Sequence, residues 1–267
     1  MHLFRDDGVV DGDFAAGEAR WRERLGRLRN VVRQELVARR LRDHLPDRPS
    51  RHVLDVGCGQ GTQALAAARR GHRVTGLDSS PVLLEDFTAA LAAEPPEVRE
   101  RVRLVHGDVG ELPAPFAPAE FDAVLCHGVL MYFPDPAPIL DGIAAVLAPD
   151  GIVSLLVRNA ESLAMRPGLS WDWAAARRAF DDATYRNRLG VTARADRLGE
   201  LTAALARRGL EVRAWYGVRV FTDLAPGDAP VPEPAELAAL LACEERAGRT
   251  DPYRGVAPLI HLIAGRA

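Results

Sequence analysis

Short apolar runs alternate with helical stretches from residue 51 onward, and this alternation limits the fold more than any other feature. Runs of about four to eight apolar residues separated by helices predict buried parallel strands, because a parallel connection needs a crossover helix. Five such strands are predicted at 52–57, 73–78, 101–108, 121–128 and 152–159. We therefore expect an α/β fold with helices on both faces of the sheet.

The remaining elements extend this pattern on both sides. Helices are predicted at 28–45, 62–70, 81–93, 136–147, 195–208 and 234–247. Two further strands, at 210–216 and 258–264, would complete a seven-stranded sheet as an antiparallel pair at one edge. Residues 160–193 interrupt the alternation, and we interpret them as a mostly helical insertion over the site.

A glycine-rich turn, VLDVGCGQG, ends the first predicted strand and opens the following helix. Gly57, Gly59 and Gly61 let the backbone turn sharply and approach a ligand closely. A nicotinamide-binding turn would read G-x-G-x-x-G, with the pyrophosphate at the helix N-terminus. Here the spacing is G-x-G-x-G, and Asp55 precedes the first glycine, which favours a ligand with a cationic amino-acid end.

Two further acids end the next two predicted strands. Asp78 can accept both hydroxyls of a ribose, and Asp108 can receive an adenine amino group while Val109 packs on the ring. Ligands of open α/β sheets bind at the carboxyl ends of the strands. The sequence therefore predicts a nucleotide-type site at this edge of the sheet.

Charge and composition narrow the function classes. The 34 basic residues are all Arg, and the formal charge of −3 does not indicate a nucleic-acid binder. Arginines nevertheless crowd into residues 20–42, where only Glu23 and Glu35 oppose them. This stretch is interpreted either as a solvated helix face or as a phosphate-contacting arm.

No apolar run approaches the roughly 18 residues that span a bilayer, and the N-terminus lacks an apolar signal core. We expect a cytoplasmic protein without a membrane association. Cys58, Cys126 and Cys243 are few and far apart, so neither a disulfide framework nor a metal site is expected.

The glycine motif, Asp78 and the segment LAPDGIVSLLV resemble the class I S-adenosylmethionine-dependent methyltransferases over residues 50–157. The resemblance implies a Rossmann-like domain over 51–267, preceded by a helical arm over 1–50. It also implies S-adenosylmethionine as cofactor and S-adenosylhomocysteine as product. The implied cofactor contacts are Asp55, Gly57, Cys58, Gly59, Gly61, Asp78, Ser79, Asp108, Val109 and Gly110.

Further segments resemble a narrower family, the methyltransferases that esterify 5-carboxymethoxyuridine at the tRNA wobble position. They read GRLR (26–29), CHGVL (126–130), DP (135–136), RNA (158–160), GVRVFTD (217–223), DPY (251–253) and IHL (260–262). On this resemblance Arg29 would reach the carboxylate of S-adenosylmethionine, and His127 would close over the cofactor. Taken alone, Arg29 would be one more charge on a solvated helix and His127 a hydrogen-bonded loop residue.

A carboxylate acceptor is already anionic near pH 7, so its methylation needs no strong general base. The acceptor must be held, and Arg219 and His261 are the candidates for this role, with Tyr132 as a third catalytic candidate. Arg219 could instead pair with Asp223, and His261 could be an ordinary strand residue. These alternatives remain open from the sequence.

The chain departs from the tRNA family in two places. Met131 and Tyr132 stand where an acidic residue and a Trp are expected, and Asp181 and Asp182 dilute the arginines of the insertion. One alternative is therefore a small-molecule methyltransferase, with Trp171, Trp173 and Tyr132 forming an apolar pocket. Another is a non-catalytic S-adenosylmethionine-binding protein. The two tryptophans are expected to anchor the insertion on the core, with base stacking as the alternative.

Overall fold

The computed structural model describes residues 14–266. Its strands are β1 His52–Val56, β2 Arg73–Asp78, β3 Val102–His106, β4 Phe121–His127, β5 Leu147–Arg158, β6 Thr184–Arg186, β7 Thr192–Arg194, β8 Leu210–Val218 and β9 Leu259–Arg266. Its helices are α1 Glu18–Arg24, α2 Leu28–His44, α3 Thr62–Arg69, α4 Pro81–Ala92, α5 Pro96–Arg99, α6 Ala137–Val146, α7 Met165–Leu169, α8 Trp173–Asp181, α9 Leu198–Ala206 and α10 Pro234–Ala247. All seven predicted strands and all six predicted helices are present, which confirms the α/β prediction.

The central sheet has the strand order β3-β2-β1-β4-β5-β9-β8. The first five of these strands are parallel, and β9 pairs antiparallel with both β5 and β8. This confirms the predicted antiparallel pair, with β8 at the edge. The chain order reverses between β1 and β4, and such a reversal opens a crevice at the carboxyl ends of the strands.

Side chains of β1 alternate between two apolar layers because successive strand residues point to opposite faces. Val53 is fully buried in a layer that includes Val32 and Leu36 of α2. Leu54 is fully buried in the opposite layer, which includes Ile143 of α6. Helices on both faces therefore cover the sheet, and its strands are nearly continuous apolar runs.

Helices α3 and α4, which follow β1 and β2, each begin at a residue whose local conformation or side chain favours a helix start. Gly61 takes a left-handed conformation, with φ of +78°, immediately before α3. Ser80 caps α4 by accepting a hydrogen bond at 3.1 Å from the backbone N–H of Leu83, and Pro81 occupies the first turn. Such a cap contributes about 1 kcal/mol, and it fixes the start of α4 directly after β2.

The segment 160–193 is helical only in its first part. Helices α7 and α8 are followed by a hairpin of β6 and β7, so the prediction of a mostly helical insertion is wrong for the second part. Each hairpin strand has only three residues, too few to produce a readable alternation in the sequence. The hairpin holds residues 185–189 beside the crevice.

Across residues 14–266, every helix is too short or too polar to cross a bilayer.

Candidate cofactor and acceptor site

A cavity of about 810 Å³ lies where β1, β2 and β4 end and the chain order reverses. Its walls come from the loops after these strands, from α1 and α2, and from residues 185–189 of the hairpin. A volume of several hundred Å³ is typical of sites that enclose a small ligand. The cavity therefore lies at the sheet edge that the strand-end residues predicted.

The glycine turn forms one wall of the cavity. Gly57 and Gly59 line the cavity and have φ of +67° and +53°, a backbone conformation that residues with a side chain rarely adopt. A Cβ atom at Gly57 would also collide with Val129. Gly61 lies outside the lining, and a Cβ atom there would collide with the ring of Phe87. Gly61 therefore serves the packing of α4 on the turn.

Cys58 lies within this turn, and two acids, Asp55 and Asp78, lie beside it. All three line the cavity, and burial raises the pKa of the Cys58 thiol. Asp55 is 4% exposed, and burial together with the nearby Asp78 raises its pKa to about 7. Asp78 accepts hydrogen bonds from the backbone N–H groups of Gly59 at 2.8 Å and Ser80 at 2.9 Å. A carboxylate has about four acceptor positions, so Asp78 retains capacity for two ligand hydroxyls.

The third predicted acid lies at the next strand end. Asp108 lines the cavity and accepts a hydrogen bond at 2.7 Å from the backbone N–H of Gly110, which itself lies outside the lining. Val109 is 5% exposed and forms an apolar surface in the wall, and Ser79 lines the cavity as well. The residues expected for an adenosine therefore occupy one continuous region.

His127 lines the cavity at the end of β4 and is hydrogen-bonded to Ser154, which is in turn hydrogen-bonded to His261. Its Nε2 lies 2.9 Å from the Ser154 hydroxyl, which lies 2.7 Å from Nε2 of His261. Burial, followed by the charge of Arg33, lowers the pKa of His127 to about 3. His261 is completely buried in β9 and is absent from the cavity wall, so it reaches the site only through Ser154 and His127.

Arg29 and Arg219 both line the cavity and share one carboxylate. Each lies 3.1 Å from Oδ1 of Asp223. Burial, followed by the charge of Arg219, lowers the pKa of Arg29 to about 9. Arg219 has φ of +65°, and its pKa is lowered by burial. The pairing with Asp223 that the sequence left open for Arg219 is therefore present.

Tyr132 lines the cavity within the loop that follows β4. Its hydroxyl accepts a hydrogen bond from Nδ2 of Asn187 at 3.4 Å, and the ring of Phe14 meets its ring edge-on at 5.4 Å between centroids. Burial raises its pKa above the ordinary value. The Tyr132 hydroxyl is therefore protonated at neutral pH.

Several cavity residues were not predicted from the sequence. Arg33 places its guanidinium 4.6 Å from the ring centroid of Trp21, and Arg158 lies 5.4 Å from that of Tyr185. Arg166 of α7 also lines the cavity. Only Arg158 had a signal in the sequence, since it lies in the last predicted parallel strand and in the segment RNA (158–160) that resembles the tRNA methyltransferases, but no role was predicted for it.

The two tryptophans of the insertion are not part of the cavity. Trp171 is 80% exposed and Trp173 is 64% exposed, with ring centroids 6.0 Å apart. The expectation that they anchor the insertion on the core is therefore wrong. The apolar pocket of Trp171, Trp173 and Tyr132 is also absent, because only Tyr132 lines the cavity.

The arginine-rich stretch 20–42 is a solvated helix face only in part, since Arg22, Arg27 and Arg42 are exposed while other arginines are bonded within the protein. Arg20 donates to the Leu189 carbonyl and Arg24 to the Arg188 carbonyl, each at 2.7 Å, so α1 is fastened to the hairpin. Arg40 is 2% exposed and pairs with Glu245 at 2.9 Å. Part of this stretch therefore stabilises the fold, and phosphate contact by its exposed arginines stays a prediction.

Charges are segregated within the cavity wall. Four acids lie toward the glycine turn: Glu18, Asp55, Asp78 and Asp108. Nine arginines of residues 14–266 also line the cavity: Arg24, Arg27, Arg29, Arg33, Arg158, Arg166, Arg186, Arg188 and Arg219. One part of the cavity suits a cationic ligand with hydroxyl groups, and the other suits an anion.

Comparison with known families agrees with this geometry. A methyltransferase domain family matches residues 54–155, which contain the glycine turn, Asp78, Asp108 and His127. Residues 54–155 therefore form an S-adenosylmethionine-dependent methyltransferase domain. The cofactor is S-adenosylmethionine, and the cavity fits it, since Asp55 can face an ammonium group and Asp78 a ribose.

The relatives of this protein differ in how much of the chain they match. A ubiquinone biosynthesis O-methyltransferase of Psychrobacter arcticus is 42% identical over 112 residues, which cover 41% of this chain and 42% of that protein. The tRNA 5-carboxymethoxyuridine methyltransferase of Escherichia coli K12 is 28% identical over 239 residues, which cover 90% of this chain and 88% of that protein. The higher identity is thus confined to less than half of the chain.

Among solved structures, the methyltransferase fold is similar to that of 1,6-didemethyltoxoflavin-N1-methyltransferase from Burkholderia thailandensis. The TM-score is 0.59 at 21% identity, covering 99% of this chain and 93% of the other. That protein was solved with S-adenosylhomocysteine bound. At this identity the similarity establishes the fold.

Proposed function

We propose that this methyltransferase esterifies a carboxylate on a modified uridine at the wobble position of a tRNA. The observation that carries the proposal is the arginine-lined part of the cavity, which suits an anionic acceptor beside the cofactor. The similarity to the E. coli tRNA enzyme supports the same acceptor, because it extends over nearly the whole chain.

The cofactor end of the cavity offers a role for four of the predicted residues. Asp55 would face the ammonium group, Asp78 would hold the ribose hydroxyls, and Asp108 and Val109 would hold the adenine. Arg33, which is bonded to no carboxylate of residues 14–266, is better suited than Arg29 to the cofactor carboxylate, because Arg29 is already paired with Asp223. When bound, S-adenosylmethionine supplies an electrophilic methyl group on its sulfonium.

The acid–base state of the cavity favours an acceptor that needs no deprotonation. His127 has a pKa of about 3 because of burial and is therefore a weak base. Burial raises the pKa of Tyr185 to about 12 and also raises that of Tyr132. A carboxylate is ionised at neutral pH, so these residues need only orient it and exclude water, and proximity can supply several kcal/mol of the barrier.

A second candidate is O-methylation of a small molecule. The 42% identity to the P. arcticus ubiquinone biosynthesis enzyme favours it, although this match covers only 112 residues. A neutral hydroxyl acceptor would require a general base near the methyl group. The lowered pKa of His127 makes this candidate weaker.

The deciding experiment incubates the protein with radiolabelled S-adenosylmethionine and, in parallel, with total tRNA and with a small-molecule extract from its own source. Label that enters tRNA and is released by mild alkali is expected, since methyl esters hydrolyse under these conditions. Label that enters only small molecules would overturn the tRNA proposal. Absence of transfer to either pool would favour a protein that only binds the cofactor.

A further inference from the structure

Arg158 is a buried cation whose guanidinium lies 5.4 Å from the ring centroid of Tyr185. It is the last residue of β5, is 9% exposed and lines the cavity. Its side chain makes no hydrogen bond or ion pair with any residue between 14 and 266, and its Nε atom is closed off from solvent. Its Nη1 and Nη2 donors are therefore free to bind an anion in the cavity, and a largely buried cation gains from such a partner.

The surrounding charges leave this cation uncompensated. Among the described residues, Asp223 acts on this group of arginines, and the buried Glu244 also acts on Arg219. One oxygen of Asp223 already binds both Arg29 and Arg219 at 3.1 Å. A single carboxylate therefore serves two guanidinium groups before Arg158 is counted. Within residues 14–266, the three guanidinium groups of Arg29, Arg158 and Arg219 therefore exceed the carboxylates of Asp223 and Glu244 by one positive charge.

The position of Arg158 separates it from the cofactor residues. His127 of β4 lies opposite Leu156 of β5 in the sheet register. Arg158 follows Leu156 by two residues, so the side chains of Leu156 and Arg158 point to the same face of the sheet, and both residues line the cavity. Arg158 thus extends the wall beyond His127, toward Arg166 and Tyr185.

We infer that Arg158 binds the carboxylate of the methyl acceptor and determines the preference for an anionic acceptor. This inference rests on the proposed function. A guanidinium presents two parallel N–H donors to a carboxylate, which fixes the orientation of the oxygen that receives the methyl group. Arg219, the candidate from sequence, instead supports the site by holding Asp223 beside Arg29.

The test compares a carboxylate ligand with its amide. Binding of 5-carboxymethoxyuridine and of the corresponding amide is measured by calorimetry with S-adenosylhomocysteine present, for wild type, Arg158→Gln and Arg158→Lys. Arg158→Gln should bind the carboxylate at least ~10-fold more weakly with little change for the amide, since the loss is one charge-assisted pair. Arg158→Lys should recover part of the preference, because the charge remains but the planar fork is lost.

Thermal unfolding without ligand separates binding from a structural role. Arg158→Gln should melt at or above the wild-type temperature, because it removes an uncompensated buried charge. The matched control is Arg177→Gln, an exposed arginine of α8, which should change neither the carboxylate preference nor the melting temperature. Wild-type carboxylate affinity in Arg158→Gln would overturn the inference. So would a lower melting temperature with equal losses for both ligands.

The two proposals fail in different ways. A wild-type protein that prefers the carboxylate through Arg158 but puts no methyl ester on tRNA would overturn the proposed acceptor and leave the role of Arg158 intact. A protein that esterifies tRNA equally well as wild type and as Arg158→Gln would overturn the role of Arg158 alone.

Discussion

At the scale of single residues, Asp78 both joins two loops through hydrogen bonds and lines the cavity. It accepts backbone hydrogen bonds from Gly59 and Ser80, and its remaining acceptor positions are available to a ribose. We expect Asp78→Ala to weaken S-adenosylmethionine binding by at least ~1 kcal/mol, measured by calorimetry. Glu85→Ala, at an exposed position of α4, is the control. Unchanged affinity in Asp78→Ala would rule out the assignment of Asp78 to the ribose.

Asp55 predicts a pH dependence of cofactor binding. Burial and the nearby Asp78 raise its pKa to about 7, so its ionised fraction grows as the pH rises from 6 to 7.5. An ionised Asp55 attracts the cofactor ammonium group, which remains protonated below about pH 7.7. Affinity for S-adenosylmethionine should therefore increase severalfold over this range, as measured by calorimetry. Asp55→Asn should remove the dependence, and an identical pH profile in that variant would contradict the assignment.

The sequence allowed prediction of the cofactor residues better than of the acceptor residues. Gly57, Asp78 and Asp108 each follow an apolar run directly, so their place at the sheet edge could be inferred from local pattern. Arg158 and Arg33 could not be distinguished in this way, because every basic residue of the chain is an arginine. Their importance depends on which carboxylates lie nearby, and that depends on tertiary structure.

At the scale of elements, Gly61 determines how α3 and α4 meet. Its φ of +78° is unfavourable for other residues, and an added Cβ atom would collide with the buried Phe87. Gly61→Ala should lower the free energy of unfolding by about 2–5 kcal/mol, combining backbone strain with overpacking. Urea denaturation measures this change.

Gly209→Ala provides the matched control for this prediction. Gly209 has φ of +69°, but a Cβ atom there would meet nothing within 4 Å. It should therefore carry only the backbone cost of about 1–2 kcal/mol. Equal losses in the two variants would show that the contact with Phe87 contributes nothing.

The elements that sequence analysis missed are those with the shortest local signal. The helix 28–45 is long and strongly patterned, and it appears as α2 within one residue of the prediction. The hairpin of β6 and β7 is defined by pairing between residues 184 and 194, which no window of the sequence reveals. Its fastening to α1 through Arg20 and Arg24 depends on carbonyl positions that exist only after folding.

At the scale of the whole molecule, the net charge of −3 conceals a basic cavity. If the acceptor is tRNA, its affinity should fall steeply with salt, because bound counterions are released from the phosphates. Arg27 and Arg186 are exposed at the cavity wall. Arg27→Gln combined with Arg186→Gln should reduce the slope of log K against log salt by about 1 to 2.

The control for the salt experiment is Arg42→Gln, an exposed arginine of α2 that does not line the cavity. It should leave the slope unchanged, and fluorescence anisotropy of a labelled tRNA measures all three proteins. A slope that is equally shallow for every protein would argue against contact with phosphates. This outcome would favour a small acceptor.

The sheet order also has a consequence for the time course of folding during synthesis. Strand β9 is made after β8 but lies between β8 and β5. While the ribosome is still adding residues 259–266, β5 has an open edge and β8 has no partner in the sheet. The parallel half can form early, yet the full sheet closes only when β9 has emerged, and until then β5 can pair with strands of other chains.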